Sequence, residues 1–126
     1  MRNDEIVHVL YVARGRLALS EYVARQAALN EVQQGVTRQG APLLTWTLVT
    51  SQKAAFLAAR QQAPGVAVVE FGQLQGRLAF CAQLAHRWPS ARMIAVTNES
   101  LEKTSVGFER CIPLPMSPVM LQNAIG

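Results

Sequence analysis

Short runs of β-branched and aliphatic residues recur along this chain, and each is followed by a stretch whose apolar residues return at helical spacing. That alternation limits the possible folds more than any other feature. Residues 6–13 read IVHVLYVA, 43–50 read LLTWTLVT, 66–71 read VAVVEF and 93–97 read MIAVT. Each run has strand length, the first looks like a strand buried on both faces, and continuous apolar strands of this kind imply a sheet covered on both faces. Strands that alternate with helices run parallel and are joined by right-handed crossovers. The expected architecture is therefore a doubly wound α/β sandwich, and 126 residues supply one such domain over 1–126.

The intervening helices can be placed from their periodicity. Between 17 and 34, Leu19, Tyr22, Val23, Leu29 and Val32 fall on one half of a helical wheel, with Arg25, Gln26 and Glu31 outside its centre. These five apolar residues are expected to face the core, and the helix to end near Gly35 or Gly40. The alanine-rich segment 52–62 carries Phe56 and Leu57, and Leu78, Cys81, Leu84 and Trp88 recur at helical spacing until Pro89. Residues 99–105 suit a short helix and 110–114 a fifth strand. Ser117 and Pro118 form a cap and first turn for a last helix of barely two turns.

Charge narrows the chemistry. Twelve Lys and Arg against eight acids give a net charge of +4, but the basic residues are scattered from Arg2 to Arg110 without a cluster, so direct nucleic-acid binding is not expected. Asp4 is the only aspartate, and Glu70 is the only carboxylate side chain between Arg38 and Asn98. Divalent-metal sites and acid-pair catalysis both need several carboxylates that can converge, and few are supplied here. The segment ARGRL after the first strand has neither a G-x-G-x-x-G nor a P-loop pattern, which argues against a nucleotide site. No apolar run approaches the roughly 18 residues of a membrane span, and the polar start lacks a signal-peptide pattern, so no membrane binding and a cytoplasmic location are expected.

In doubly wound sheets, sites form beyond the carboxyl ends of the strands. There the order PGVAVVEF, MIAVTN, CIPLPMSP resembles the receiver domain of bacterial two-component response regulators, in the flavodoxin-like five-strand arrangement of the chemotaxis regulator. The resemblance spans almost the whole chain. It implies a three-layer α/β/α fold and a phosphoacceptor aspartate at the end of the third strand. It further implies a Thr or Ser after the fourth strand, a Lys followed by Pro after the fifth, and an acidic pair after the first. The matching residues are Glu70, Thr97, Leu114 with Pro115, and Ala13 with Arg14. Only Thr97 and Pro115 keep the family's residue types.

These replacements remove the aspartate nucleophile, the ligands of the magnesium ion and the phosphate-binding lysine on which phosphoryl transfer to a receiver depends. Glu70 is also one methylene longer than aspartate, which displaces its oxygen from the in-line position. The expectation is a non-phosphorylatable pseudo-receiver that is not an enzyme, needs no cofactor or metal, and acts through protein contacts. Its implied partners are a sensor kinase or output domain and a second copy of the chain, a homodimer. The family's usual dimer face maps to residues 99–124 here. The alternative is an architectural dimerisation module of a larger protein. Glu70 and Arg14 are expected to form an ion pair across the degenerate pocket. Two readings of Glu70 stand: a polar residue closing that pocket, or a permanent imitation of the phosphorylated state. Cys111, where the family carries an aromatic switch residue, is expected to be a packed thiol. His8 and His86 are expected to be structural, and Trp46 and Trp88 to supply packing area.

Overall fold

The computed structural model describes residues 6–14, 18–36, 43–71, 77–97, 107–113 and 117–125. Five strands, β1 (Ile6–Val12), β2 (Leu43–Val49), β3 (Val66–Glu70), β4 (Arg92–Val96) and β5 (Arg110–Ile112), alternate with α1 (Leu19–Val36), α2 (Gln52–Gln61), α3 (Arg77–Arg87) and α4 (Pro118–Ile125). All strand pairs are parallel, in the order β2-β1-β3-β4-β5. The chain starts in the middle of the sheet, moves out to β2, returns past β1 to β3 and continues outward to β5. The winding therefore changes direction between β1 and β3, where a doubly wound sheet opens a crevice. This is the flavodoxin-like three-layer sandwich, with boundaries within about two residues of the sequence pattern. The short helix expected over 99–105 lies outside the described residues.

Side-chain parity along the central strands divides the core in two. Val9, Tyr11, Val66, Val68, Ile94 and Val96 face one helical layer, which contributes Leu29 and Val32 of α1 and Leu121, Ala124 and Ile125 of α4. Leu10, Val12, Ala67, Val69, Met93 and Ala95 face the other, which contributes Ala55 and Ala59 of α2 and Phe80, Cys81 and Leu84 of α3. Burial on both faces explains why these strands carry no alternating polar residues. Two helix starts are capped by serine, the second at the Ser117 that the sequence indicates. The Ser51 hydroxyl accepts from the Ala54 amide at 3.1 Å, and the Ser117 hydroxyl from the Met120 amide at 3.3 Å.

The carboxyl end of α4 is fixed by Arg92. Its guanidinium donates to the carbonyls of Ile125 at 2.9 Å and Ala124 at 3.0 Å, and its Nε donates to Glu109 at 2.8 Å. A cation at a helix carboxyl end satisfies open carbonyls and complements the dipole. The same contact holds the Glu109 carboxyl below its usual range, chiefly through the hydrogen bond from Arg92.

Two expectations are corrected. In α1 only Leu29 and Val32 of the five apolar residues are buried, whereas Leu19, Tyr22 and Val23 are 79%, 39% and 58% exposed. The helix is rolled so that the stripe Arg25, Leu29, Val32, at i, i+4 and i+7, meets the sheet. Cys111 is exposed rather than packed, because β5 is an outer strand and only its Ile112 turns into the core. Cys81 is buried under α3. Trp46 packs against the α1/α4 side of the core and Trp88 against the other, stacked on Phe56. His8 accompanies Thr45 across the β1/β2 pair at 2.5 Å.

Candidate functional site

The crevice between β1 and β3 gathers four of the residues singled out from the sequence. Ala13 and Arg14 follow β1, Glu70 ends β3 and Thr97 follows β4, on three adjacent strands. Their main chains are pinned. The amides of Ala13, Phe71 and Thr97 donate to Val49, Val96 and Ile112 at 2.8, 2.9 and 2.8 Å. Leu114 and Pro115 lie outside the described residues.

Glu70 is the centre of this arrangement. It shares the parity of Val66 and Val68, so its side chain turns toward the α1/α4 layer, and it is completely buried. A buried carboxylate is tolerable only if its charge is paired and its lone pairs are filled. Four donors on three groups meet that need. The Arg25 guanidinium reaches down from α1, with Nε on Oε2 and Nη2 on Oε1 at 3.1 Å. The Tyr11 hydroxyl donates to Oε2, and the Arg14 amide lies 3.3 Å from Oε1. The forked guanidinium geometry matches a carboxylate at both oxygens.

The expected partner is thus replaced. Arg14 touches Glu70 through its main-chain N–H only, while its guanidinium pairs with Glu21 at 3.0 Å, where both side chains are substantially exposed. The reason is geometric. Arg14 follows Ala13 at the rim, where its side chain has water available, whereas Arg25 projects from the helix lying over the face toward which Glu70 points. Arg25 and Tyr11 were not singled out as site residues from the sequence. The available signals were the spacing of Arg25 with Leu29 and Val32, and the parity of Tyr11 with Val9 and Ala13.

The electrostatics follow from these contacts. The Tyr11 phenol is pushed well above its ordinary range, first by burial and then by the adjacent Glu70 carboxylate, so it remains a neutral donor. The Arg25 guanidinium is held more firmly protonated, chiefly by its hydrogen bonds to Glu70. The Glu21 carboxyl is lowered, first by the Arg14 hydrogen bond and then by the Ala18 amide.

A magnesium ion does not fit this donor set. Ala13 offers no ligand, both Glu70 oxygens are engaged by a guanidinium, and a divalent cation would have to displace Arg25. Among the described residues, no group of three or more His, Cys, Asp or Glu side chains could hold a metal ion. No helix among them is long and apolar enough to cross a membrane.

Comparison with solved structures agrees with this topology. The chemotaxis protein CheY4 of Vibrio cholerae superposes with a TM-score of 0.69 at 13% identity, covering 95% of this chain and 96% of that one. A two-component transcriptional regulator AraC from Clostridium phytofermentans gives 0.68 at 12% identity over 94% and 88%. A putative pilus assembly protein, cpaE, from Burkholderia thailandensis gives 0.65 at 17% identity over 94% of each chain. The match is to receiver domains, and at these identities it establishes the receiver fold. No protein-family profile matches the sequence. No curated protein matches it either.

Proposed function

We propose that the chain is a single receiver-like domain, over residues 1–126, that works in two-component signalling through protein contacts and without receiving a phosphoryl group. One observation carries this reading: the carboxylate at the phosphoacceptor place is already occupied by an internal cation, Arg25, and by the Tyr11 hydroxyl. A phosphoacceptor must present a free oxygen in line with the donor, beside a metal that neutralises the charge moving in the transition state. Glu70 presents neither. The guanidinium neutralises Glu70, which favours the reading of a closed, structural pocket over one that imitates a phosphorylated aspartate with its charge displayed. Catalysis has no place in this reading. The partners are then proteins, a sensor kinase or an output domain, met at surfaces rather than by chemistry.

The test is direct. The protein is incubated with magnesium and acetyl phosphate, and separately with beryllofluoride, and followed by intact mass and amide chemical shifts. The expected result is no phosphoryl adduct and no magnesium-dependent shift at Ala13, Glu70 or Thr97. A magnesium-dependent adduct on Glu70 would refute the reading.

A second reading rests on the putative pilus assembly protein among the structural neighbours, in which the same fold occurs in a protein named for assembly. On that reading the domain is an architectural homodimer within a larger protein. The groove of about 240 Å³ between β5 and α4, walled by Cys111, Ile112 and Met120, lies within the face assigned above to dimerisation. Light scattering on a size-exclusion column separates the two. A dimer unchanged on dilution supports the architectural role, and a monomer supports a partner-gated module.

A further inference from the structure

No residue of α1 ahead of Leu29 is buried. Helices in proteins are held mainly by an apolar face packed on the rest of the molecule, and the first half of α1 turns its largest apolar residues, Leu19, Tyr22 and Val23, to solvent. Two side-chain contacts described here tie that half to the sheet region. One is the Arg14–Glu21 pair, exposed on both sides and therefore weak. The other is the Arg25–Glu70 pair, whose carboxylate is wholly buried. The second half of the helix is held differently, by Leu29 and Val32 in the core.

We infer that the Arg25–Glu70 pair is a latch that couples the crevice to the first half of α1, with Tyr11 fixing the carboxylate end. Arg25 lies three residues from Tyr22, on neighbouring turns of the same helix, so the segment that carries the exposed apolar residues is positioned by a contact inside the crevice. A change in the charge or contacts of Glu70 alters how firmly this segment is held, and by linkage a molecule bound to the segment alters the environment of Glu70. The inference goes beyond the functional reading above and does not depend on it, because a latch operates whether or not Glu70 can be phosphorylated.

Hydrogen exchange read by mass spectrometry tests it, on the unmodified chain and on Arg25→Gln, with no phosphodonor present. The amides of 22–28, which lie past the first helical turn, are expected to exchange on the order of tenfold faster or more in the variant. Those of 29–36 and of β1 and β3, compared at urea concentrations that give both proteins the same global stability, are expected to keep their rates. Unchanged exchange over 22–28, or an equal acceleration everywhere, overturns the latch. Should Arg25→Gln fail to fold, Arg25→Lys serves the same test: it keeps the cation, loses the fork, and is expected to give a smaller acceleration confined to the same segment. A phosphoryl adduct on Glu70 in the earlier experiment would leave this outcome untouched, so the two failures are distinguishable.

Discussion

Replacing Arg25 with methionine is expected to lower the stability of the domain by about 3–5 kcal/mol, the cost of stranding a buried charge. The two ends of the pair are not equivalent. The Glu70 side chain is 0% exposed, while that of Arg25 is 19% exposed and reaches toward the helix surface. Without Arg25, the carboxylate keeps the Tyr11 hydroxyl and the Arg14 amide as donors but has no cation beside it. Without the carboxylate, as in Glu70→Gln, the guanidinium can turn outward to water and the loss is expected to be smaller, about 1–3 kcal/mol for the hydrogen bonds given up. Urea unfolding of both variants measures the difference. Equal losses would show that the carboxylate end is not the deeply desolvated one. The triple change Tyr11→Phe, Arg25→Met, Glu70→Leu removes all three side chains together, leaving only the Arg14 amide, and is expected to be close to neutral, or stabilising by about 1–4 kcal/mol. That contrast would assign the cluster to positioning α1 rather than to holding the fold together.

Phe71→Ala is expected to cost about 3–5 kcal/mol, the range for removing a buried aromatic side chain and leaving a cavity. Phe71 follows Glu70 directly, is 3% exposed, and has the opposite parity, so it anchors the end of β3 in the α2/α3 side of the core. There its ring meets Phe108 edge to face, with centroids 5.9 Å apart, an arrangement that adds to simple burial. The end of β3 is thus held from both sides, by Phe71 below and by the Glu70 cluster above. Phe71→Leu fills most of the space and is expected to cost about 1 kcal/mol. Thermal and urea unfolding compare the two. If Phe71→Ala lost no more than Phe71→Leu, the ring would not be the anchor that its burial indicates.

Arg25 and Arg14 show where reading the sequence stopped. That Glu70 ends a buried strand is legible from VAVVEF, and so is the need of a lone buried carboxylate for a cation. The choice of cation is not. Arg14 is the neighbour suggested by strand ends, yet in a strand buried on both faces the sequence does not say which helical layer a given side chain will meet. Glu70 turns toward α1, and that single fact brings Arg25 in and leaves Arg14 at the rim with Glu21. The roll of α1 follows from the same choice. A wheel scored by hydrophobicity turns Leu19, Tyr22 and Val23 inward, but the unmet charge of Glu70 outweighs them and presents Arg25 instead. Cys111 illustrates the same limit at the sheet edge, where burial depends on which strand is outermost.

The amino-acid order alone determined the alternation of strands and helices, the parallel sheet and the cap at Ser117. Those properties are local, or follow from the alternation. Only the folded molecule decided that the crevice is closed by a guanidinium from a helix and a phenol from a strand. The interaction spans 45 residues between Arg25 and Glu70 and 59 between Tyr11 and Glu70. Pairings over such separations are selected by side-chain direction and desolvation in three dimensions, which no local pattern encodes.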